Sequence, residues 1–134
     1  MRSLLVIALS TACLSACADK NEAAEDRLEK AAETSARVAG PLPAALGLSE
    51  AQLLDAELLD GKGTELGDVA QILRGPDGKV DRLLVEIEDS NPDRYVHVPI
   101  TGLETRVAGD DTDLATTMTK ADLAALPEVK LPTP

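Results

Sequence analysis

Hydrophobic positions follow three different patterns along this chain. Residues 4–14 are almost wholly apolar, residues 18–39 are dominated by Ala, Glu and Lys, and residues 48–130 contain short alternating runs separated by Gly, Pro and Asp. A continuous apolar run, a helix-forming run and short alternating runs are typical of three different kinds of segment. The chain therefore predicts a leader, a helical or disordered spacer, and a small β-rich domain.

The alternating runs predict a mainly β domain of five to six short strands and a short C-terminal helix. Gly75-Pro76-Asp77-Gly78 has the residues of a tight turn, and it joins two runs into a β-hairpin. Thr119 followed by Asp122 is typical of a helix N-cap. The expected elements are a strand or strand entry over 53–59, then strands 65–74, 80–88, 95–100, 103–107 and 114–118, and a helix over 120–126.

Burial of the strands is also predicted by the alternation. Both faces of 65–74 are fairly apolar, which indicates a strand covered from two sides. In the run 95–100, Val96 and Val98 are expected to point inward, with Tyr95 and His97 outward. The chain has one Tyr and no Trp or Phe, so its core is aliphatic. Closure into a small barrel would remove exposed sheet edges, and we expect that architecture.

The spacer, residues 17–47, contains strong helix formers and no Gly or Pro before Gly40-Pro41. Ala24, Leu28, Ala31, Ser35 and Val38 share one helical face at four-three spacing. Because this face is mostly alanine, it buries little area. The pattern favours a partly helical, solvated tether about 30 Å long, with a coiled coil as the alternative.

The leader begins with a short positively charged segment, Met1-Arg2-Ser3, and continues with the apolar run. This arrangement is typical of a secretory signal peptide, and the run is too short for a transmembrane helix. The next residues, Leu14-Ser15-Ala16-Cys17, resemble the lipobox of bacterial lipoproteins. The resemblance implies removal of residues 1–16, a diacylglycerol thioether at Cys17 and acylation of its new amino group. An ordinary secretory signal that contains cysteines is the alternative.

Lipidation would leave the mature chain without a free thiol, since Cys13 departs with the signal and Cys17 carries lipid. A cysteine metal or redox site would need further partners. In the sorting pattern of many Gram-negative lipoproteins, Asp directly after the cysteine favours the inner membrane. Ala18 stands there instead. The expected location is therefore the cell envelope, facing the periplasm and favouring the outer membrane.

Charge excludes one class of partner. The 13 basic residues lose Arg2 with the signal, which leaves 12 against 24 acidic residues, a formal charge of −12. Nucleic-acid binding normally requires a basic surface, so it is not expected here.

Several segments of the β domain, taken in order, resemble the PRC-barrel family over roughly residues 51–129. The segments are Gly67-Asp68-Val69, Pro76-Asp77-Gly78-Lys79-Val80, Leu83-Leu84-Val85-Glu86-Ile87, Val96-His97-Val98-Pro99, Met118-Thr119-Lys120-Ala121-Asp122-Leu123 and Leu126-Pro127-Glu128. The resemblance implies a small barrel over residues 48–130 with a short tail, 131–134. Members of that family use the barrel to dock other proteins, and the barrel is not itself a catalyst.

Candidate chemistry is sparse. His97 is the only histidine, and no nucleophile motif accompanies it, so an enzyme and a bound cofactor are not expected. Tyr95 and His97 are candidate partner contacts on the outer barrel face. Asp110, Asp111 and Asp113 are candidate ligands for a hard cation, although they lack EF-hand spacing. The sequence thus favours a lipid-anchored docking module for another envelope protein, with a periplasmic cation or small-ligand sensor as the alternative.

Overall fold

A computed structural model describes residues 18–132. The predicted signal peptide, the lipobox Leu14, Ser15 and Ala16, and the lipidation site Cys17 lie outside the described residues, as does the end of the tail. No helix in residues 18–132 has the length and apolar character needed to cross a membrane.

The described part of the chain begins with one long helix, which is followed by strands and short helices. The elements are α1 (Ala18–Ala39), β1 (Pro43–Ala45), β2 (Leu48–Ser49), α2 (Glu50–Leu54), β3 (Glu57–Leu59), β4 (Glu65–Arg74), β5 (Val80–Ile87), β6 (Tyr95–Pro99), a 3₁₀ turn (Ile100–Gly102), β7 (Leu103–Ala108), β8 (Asp111–Thr116), α3 (Lys120–Ala125) and β9 (Glu128–Val129). The strands β1 and β2 form a separate two-stranded sheet.

Seven strands form the main sheet, in the order β7-β8-β3-β4-β5-β6-β9. All neighbours are antiparallel except β3 and β8, which are parallel. The mainly β prediction is confirmed, as is the short C-terminal helix. The predicted closure into a barrel is not confirmed, because β7 and β9 end the sheet and do not pair with each other within the described chain. The pairing of β4 with β5 shifts register after Val69 and again after Leu73, and irregularities of this kind bend a strand.

Strand positions agree with the hydrophobic pattern where turns are well marked. The predicted hairpin is present as β4 and β5, and Gly78 in its turn has a φ of 77°. Thr119 caps α3 by accepting a hydrogen bond from the Asp122 amide, and the Asp122 carboxylate accepts one from the Thr119 amide. The prediction for β8 was wrong at its start, because the strand begins at Asp111 rather than Leu114.

The predicted strand or strand entry over 53–59 was wrong at its start, because β3 occupies only Glu57–Leu59. Residues Glu50–Leu54 form α2, and Ser49 caps it by accepting a hydrogen bond from the Gln52 amide. The Gln52 side chain returns a bond to the Ser49 amide, which completes a capping box. A Ser followed three residues later by Gln is a helix-start signal that the strand prediction ignored.

One face of the main sheet carries an aliphatic core. Leucine and valine side chains from every strand of the main sheet except β9 join Leu53 of α2 and Leu123 of α3 in one cluster. Leu58, Leu83, Val85, Val96 and Leu114 are all 0% exposed. Because the end strand β7 contributes Leu103 and α3 contributes Leu123, the sheet curls around this cluster.

The spacer is not a solvated tether, which corrects the prediction. The helix α1 contacts α2 and β4, and Ala24, Ala32 and Ala36 are only 5%, 6% and 7% exposed. These alanines recur at multiples of four residues, whereas Val38 on the predicted face is 84% exposed. Their small side chains let the helix axis lie close to its neighbours, so contact area comes from proximity rather than from large side chains.

Candidate functional site: an acidic groove under the N-terminal helix

The docked helix α1 and the outer face of the main sheet enclose a groove of about 480 Å³. Its apolar lining residues include Leu28 of α1, Leu54 of α2 and Val69 of β4, and Tyr95 also lines it. Seven carboxylates line the same groove, and no basic residue of the described chain does. They are Glu25, Asp26, Glu29, Glu33, Asp55, Asp68 and Glu86. We call this feature the acidic groove.

Strand pairing brings three polar side chains together on the sheet side of the groove. Glu86 of β5 lies between Asp68 of β4 and Tyr95 of β6, each its direct cross-strand partner. The Tyr95 hydroxyl donates a hydrogen bond of 3.1 Å to Glu86 Oε2. Burial raises the pKa of the Tyr95 phenol far above its ordinary value, and the nearby negative charge of Glu86 raises it further. Tyr95 is therefore a neutral hydrogen-bond donor at any physiological pH.

Carboxylates from both walls of the groove disfavour each other's ionised form. Burial raises the pKa of Glu86, and the charges of Asp93 and Asp68 raise it further, against the lowering effect of the bond from Tyr95. Burial also raises the pKa of Glu25 on α1, followed by the charges of Asp93 and Glu86. Protonation of these groups, or a bound cation, relieves this repulsion.

A buried carboxylate links α1 to the rest of the domain on the opposite side of the groove. The Glu50 side chain of α2 forms an ion pair with Arg74 of β4. The Ser35 hydroxyl of α1 donates a 2.8 Å hydrogen bond to Glu50 Oε2. The pKa of Glu50 is lowered, mainly by the hydrogen bond from Arg74. Three elements therefore converge on one carboxylate, which lies within the protein at 4% exposure.

The predicted contact residues Tyr95 and His97 are on the sheet face that the alternation indicated, but Tyr95 is not an exposed contact. It is only 5% exposed, because α1 covers its end of β6. His97 is half-buried beside Leu84 on β5. Burial lowers the pKa of His97, and the charge of Arg82 lowers it further. A surface formed by both residues would exist only if α1 moved away.

The candidate cation ligands are not brought together. Asp110 lies in the turn between β7 and β8, and the Asp113 carboxylate accepts a hydrogen bond of 3.4 Å from the Glu57 amide. Asp60, in the loop between β3 and β4, accepts hydrogen bonds from the Lys62 and Thr64 amides and so stabilises its own turn.

A different set of three carboxylates, in the described part of the chain, lies close enough together to hold a cation. Oxygens of Glu65, Asp68 and Glu88 lie within 4.8 Å of one another. Burial raises the pKa of Glu65, and the surrounding carboxylates raise it further. The sequence could not indicate this group, because Glu88 reaches Glu65 only through the pairing of β4 with β5.

Known proteins add no assignment to this geometry. The chain matches no protein-family model, and a comparison with curated proteins also finds no match.

Proposed function

We propose that this chain is a lipid-anchored protein of the cell envelope whose sheet domain is a non-catalytic docking module, and that the acidic groove binds a basic segment of another envelope protein. The observation that carries the proposal is the groove itself. It combines seven carboxylates with apolar side chains from α1, α2 and β4, without a basic residue among its lining side chains. A lysine- or arginine-rich segment supplies both complementary charge and long methylene chains that can lie against those apolar side chains.

The anchor is supported by the sequence Leu14-Ser15-Ala16-Cys17 and by the position of the helix that comes directly after it. The helix α1 begins at Ala18, and Asn21 and Ala24 share a second cavity with Pro92, Asp93 and the segment 128–131. Four helical residues span about 6 Å, so lipid on Cys17 would hold this side of the domain next to the membrane surface. The docked helix thus replaces the long tether that the sequence suggested.

The family resemblance supports the same function through architecture. In the PRC-barrel resemblance the domain is a docking element, and a barrel would enclose the aliphatic core. Here the inner sheet face forms one cluster, and α3, which leads into the end strand β9, contributes Leu123 to it. We infer that this open, curled sheet is a barrel variant whose gap α3 covers.

The anchor is tested by substituting the two cysteines separately in cells that produce the full chain. We expect labelled palmitate to be incorporated, and membrane association to be retained, in Cys13→Ser but not in Cys17→Ser. Retention of label by Cys17→Ser would refute lipidation at this position without bearing on the groove.

The groove is tested by titrating the purified chain with a decalysine peptide and following Tyr95 fluorescence. Tyr95 is the only aromatic residue, so its emission reports directly on the groove. We expect Glu29→Gln/Glu33→Gln to weaken binding about tenfold more than Glu22→Gln/Glu57→Gln, which changes the net charge equally outside the groove. Equal weakening by both variants would show that binding depends only on total charge and would overturn the proposal.

A cation sensor is the alternative, and the Glu65, Asp68 and Glu88 group now favours it rather than the predicted aspartates. Titration with calcium instead of the peptide distinguishes the cation sensor from the docking module. A calcium-dependent rise in melting temperature that Glu65→Gln abolishes would favour the sensor, because a ligand that binds only the folded state stabilises it.

A further inference from the structure

The hairpin of β7 and β8 extends beyond the core of the domain. Its base is buried, with Leu103 at 5% and Leu114 at 0% exposure. Every residue from Glu104 through Asp111 is exposed, including Val107 at 73%. Thr105 and Val107 share the sheet face of Leu103, because side chains alternate along a strand. The distal half of the hairpin is thus a two-stranded ribbon that neither face of the domain covers.

β7 is also an edge of the main sheet. Within residues 18–132 it pairs with β8 alone, so alternate residues direct their amide and carbonyl groups away from the sheet. A six-residue edge of this kind is a template for another strand. Charged side chains usually prevent such pairing, and β7 carries two of them, Glu104 and Arg106. Their order decides what the edge can accept.

We propose that β7 pairs with β7 of a second copy of this chain, antiparallel, about a two-fold axis through Thr105. In this register Glu104 lies opposite Arg106 of the partner subunit, and the symmetry repeats the same pair on the other side of the axis. Thr105 lies opposite its own copy. Oppositely charged residues directly across an antiparallel pair stabilise it, so both edge charges become favourable.

The apolar side of β7 fits the same register. Val107 lies opposite Leu103 of the partner subunit, on the face that carries each aliphatic core. The exposed Val107 side chain therefore extends the core of the other copy. The contact joins two seven-stranded sheets into one continuous sheet.

Other registers lose these contacts. An axis through Glu104 places that carboxylate opposite its own copy, and an axis through Arg106 does the same with two guanidinium groups. An axis between two residues shifts the pairing by one and places the charged face of one copy on the apolar face of the other. The axis through Thr105 is the register that satisfies both charges and Val107 together.

Cysteine cross-linking tests the axis directly. For this test, both natural cysteines of the full chain are replaced (Cys13→Ser and Cys17→Ser), so that an introduced cysteine is the only thiol. The purified protein is then oxidised in non-ionic detergent. Residues directly opposite on antiparallel strands have Cα atoms about 4.5–5.5 Å apart, which suits a disulfide. Thr105→Cys should give a covalent dimer. Val107→Cys should not, because the two copies of this residue lie about 13 Å apart along the strands.

Val107→Cys is a demanding control, since Val107 is highly exposed and random collisions would cross-link it readily. Equal cross-linking of both variants, or a Thr105→Cys chain that stays monomeric, would overturn the proposed axis.

Charge exchange tests the pairing without a covalent bond, with mass in solution measured by sedimentation equilibrium. Glu104→Arg and Arg106→Glu each place like charges opposite one another, and each should weaken self-association about tenfold or more. The combined E104R/R106E chain restores opposite charges and should associate like the original. A mixture of the two single variants should form heterodimers.

Arg106 also contacts the Gly63 turn of its own chain, so circular dichroism must show that each variant is folded. Glu104→Arg provides the cleaner test. A chain that is monomeric at its highest soluble concentration, or a combined variant that fails to recover, would overturn the proposal. None of these measurements depends on the lipid anchor or on the acidic groove.

Discussion

The two faces of the main sheet are held by different physical interactions. The inner face is covered by leucine and valine side chains from most of the strands and from α2 and α3. The outer face is covered by α1, which makes contact through a row of alanines and a hydrogen bond from Ser35 to the buried Glu50 carboxylate, beside a groove lined with carboxylates. The inner contacts depend on area and shape, which are insensitive to pH and salt. The outer contacts depend on charge, so conditions and ligands can change them.

This difference indicates a division of labour. The inner face sets the stability of the fold, and the outer face sets how firmly α1 is seated. Because α1 follows the predicted lipidation site directly, a change in its seating would alter how the domain is held at a membrane. The docking proposed for the acidic groove acts on the same contact, since a basic segment would neutralise the carboxylates on both of its walls.

Adjacent leucines in β5 allow the two faces to be compared with the same substitution. Leu83 is 0% exposed and belongs to the core cluster, whereas Leu84 is 2% exposed and lies outside that cluster, opposite His97 on the α1 side. We expect Leu83→Ala to lower the free energy of unfolding by about 2–5 kcal/mol. Leu84→Ala should cost about 2 kcal/mol, at the lower end of this range, because Leu84 lies outside the core cluster.

Urea unfolding measured by far-ultraviolet circular dichroism checks this order, with Tyr95 fluorescence recorded on the same samples. Leu84→Ala should change the Tyr95 signal before the main transition, and Leu83→Ala should move both together. A larger global loss from Leu84→Ala would show that the two faces are not separable in this way.

The sequence predicted the inner face well and the outer face poorly, for a physical reason. The strand β4 was predicted at Glu65–Arg74, because alternation and a marked turn are local signals. Its apolar outer residues also predicted a second cover. The sequence could not show that α1 provides this cover, because alanine is compatible with a solvated helix and with a buried one. The acidic groove depends on that contact and was therefore missed.

Removing the hydrogen bond from Ser35 to Glu50 should weaken the contact of α1 with the domain by less than the leucine substitutions do. Ser35→Ala removes a donor to a buried carboxylate and should cost about 1 kcal/mol. Thr34→Ala is the matched control, because Thr34 is exposed on the same helix. Both substitutions raise helix propensity, so the difference between them isolates the hydrogen bond. Thermal melts followed by near-ultraviolet circular dichroism of Tyr95 should show a lower midpoint for Ser35→Ala alone, and equal midpoints would assign the bond no role.

A change of pH should have the smallest effect on how firmly α1 is docked. Groups with raised and with lowered pKa values contribute effects of opposite sign. The pKa values of Glu86 and Glu25 are raised above the ordinary 4.5, so the docked state binds protons more readily than the undocked state. Lowering the pH from neutrality toward their pKa values therefore strengthens docking. The pKa of Glu50 is lowered below 4.5, so its contribution is lost only as the pH falls through that lower value.

The resulting optimum, on the acidic side of neutrality, should appear in a pH titration of the Tyr95 melting midpoint. Glu86→Gln keeps a hydrogen-bond acceptor for Tyr95 and removes the charge. It should raise the midpoint at pH 7 and flatten the acidic rise, while Asp110→Asn at the hairpin tip should leave the profile unchanged. An unaltered profile in Glu86→Gln would mean that the groove carboxylates do not control α1, and the outer face would then be as insensitive to charge as the inner one.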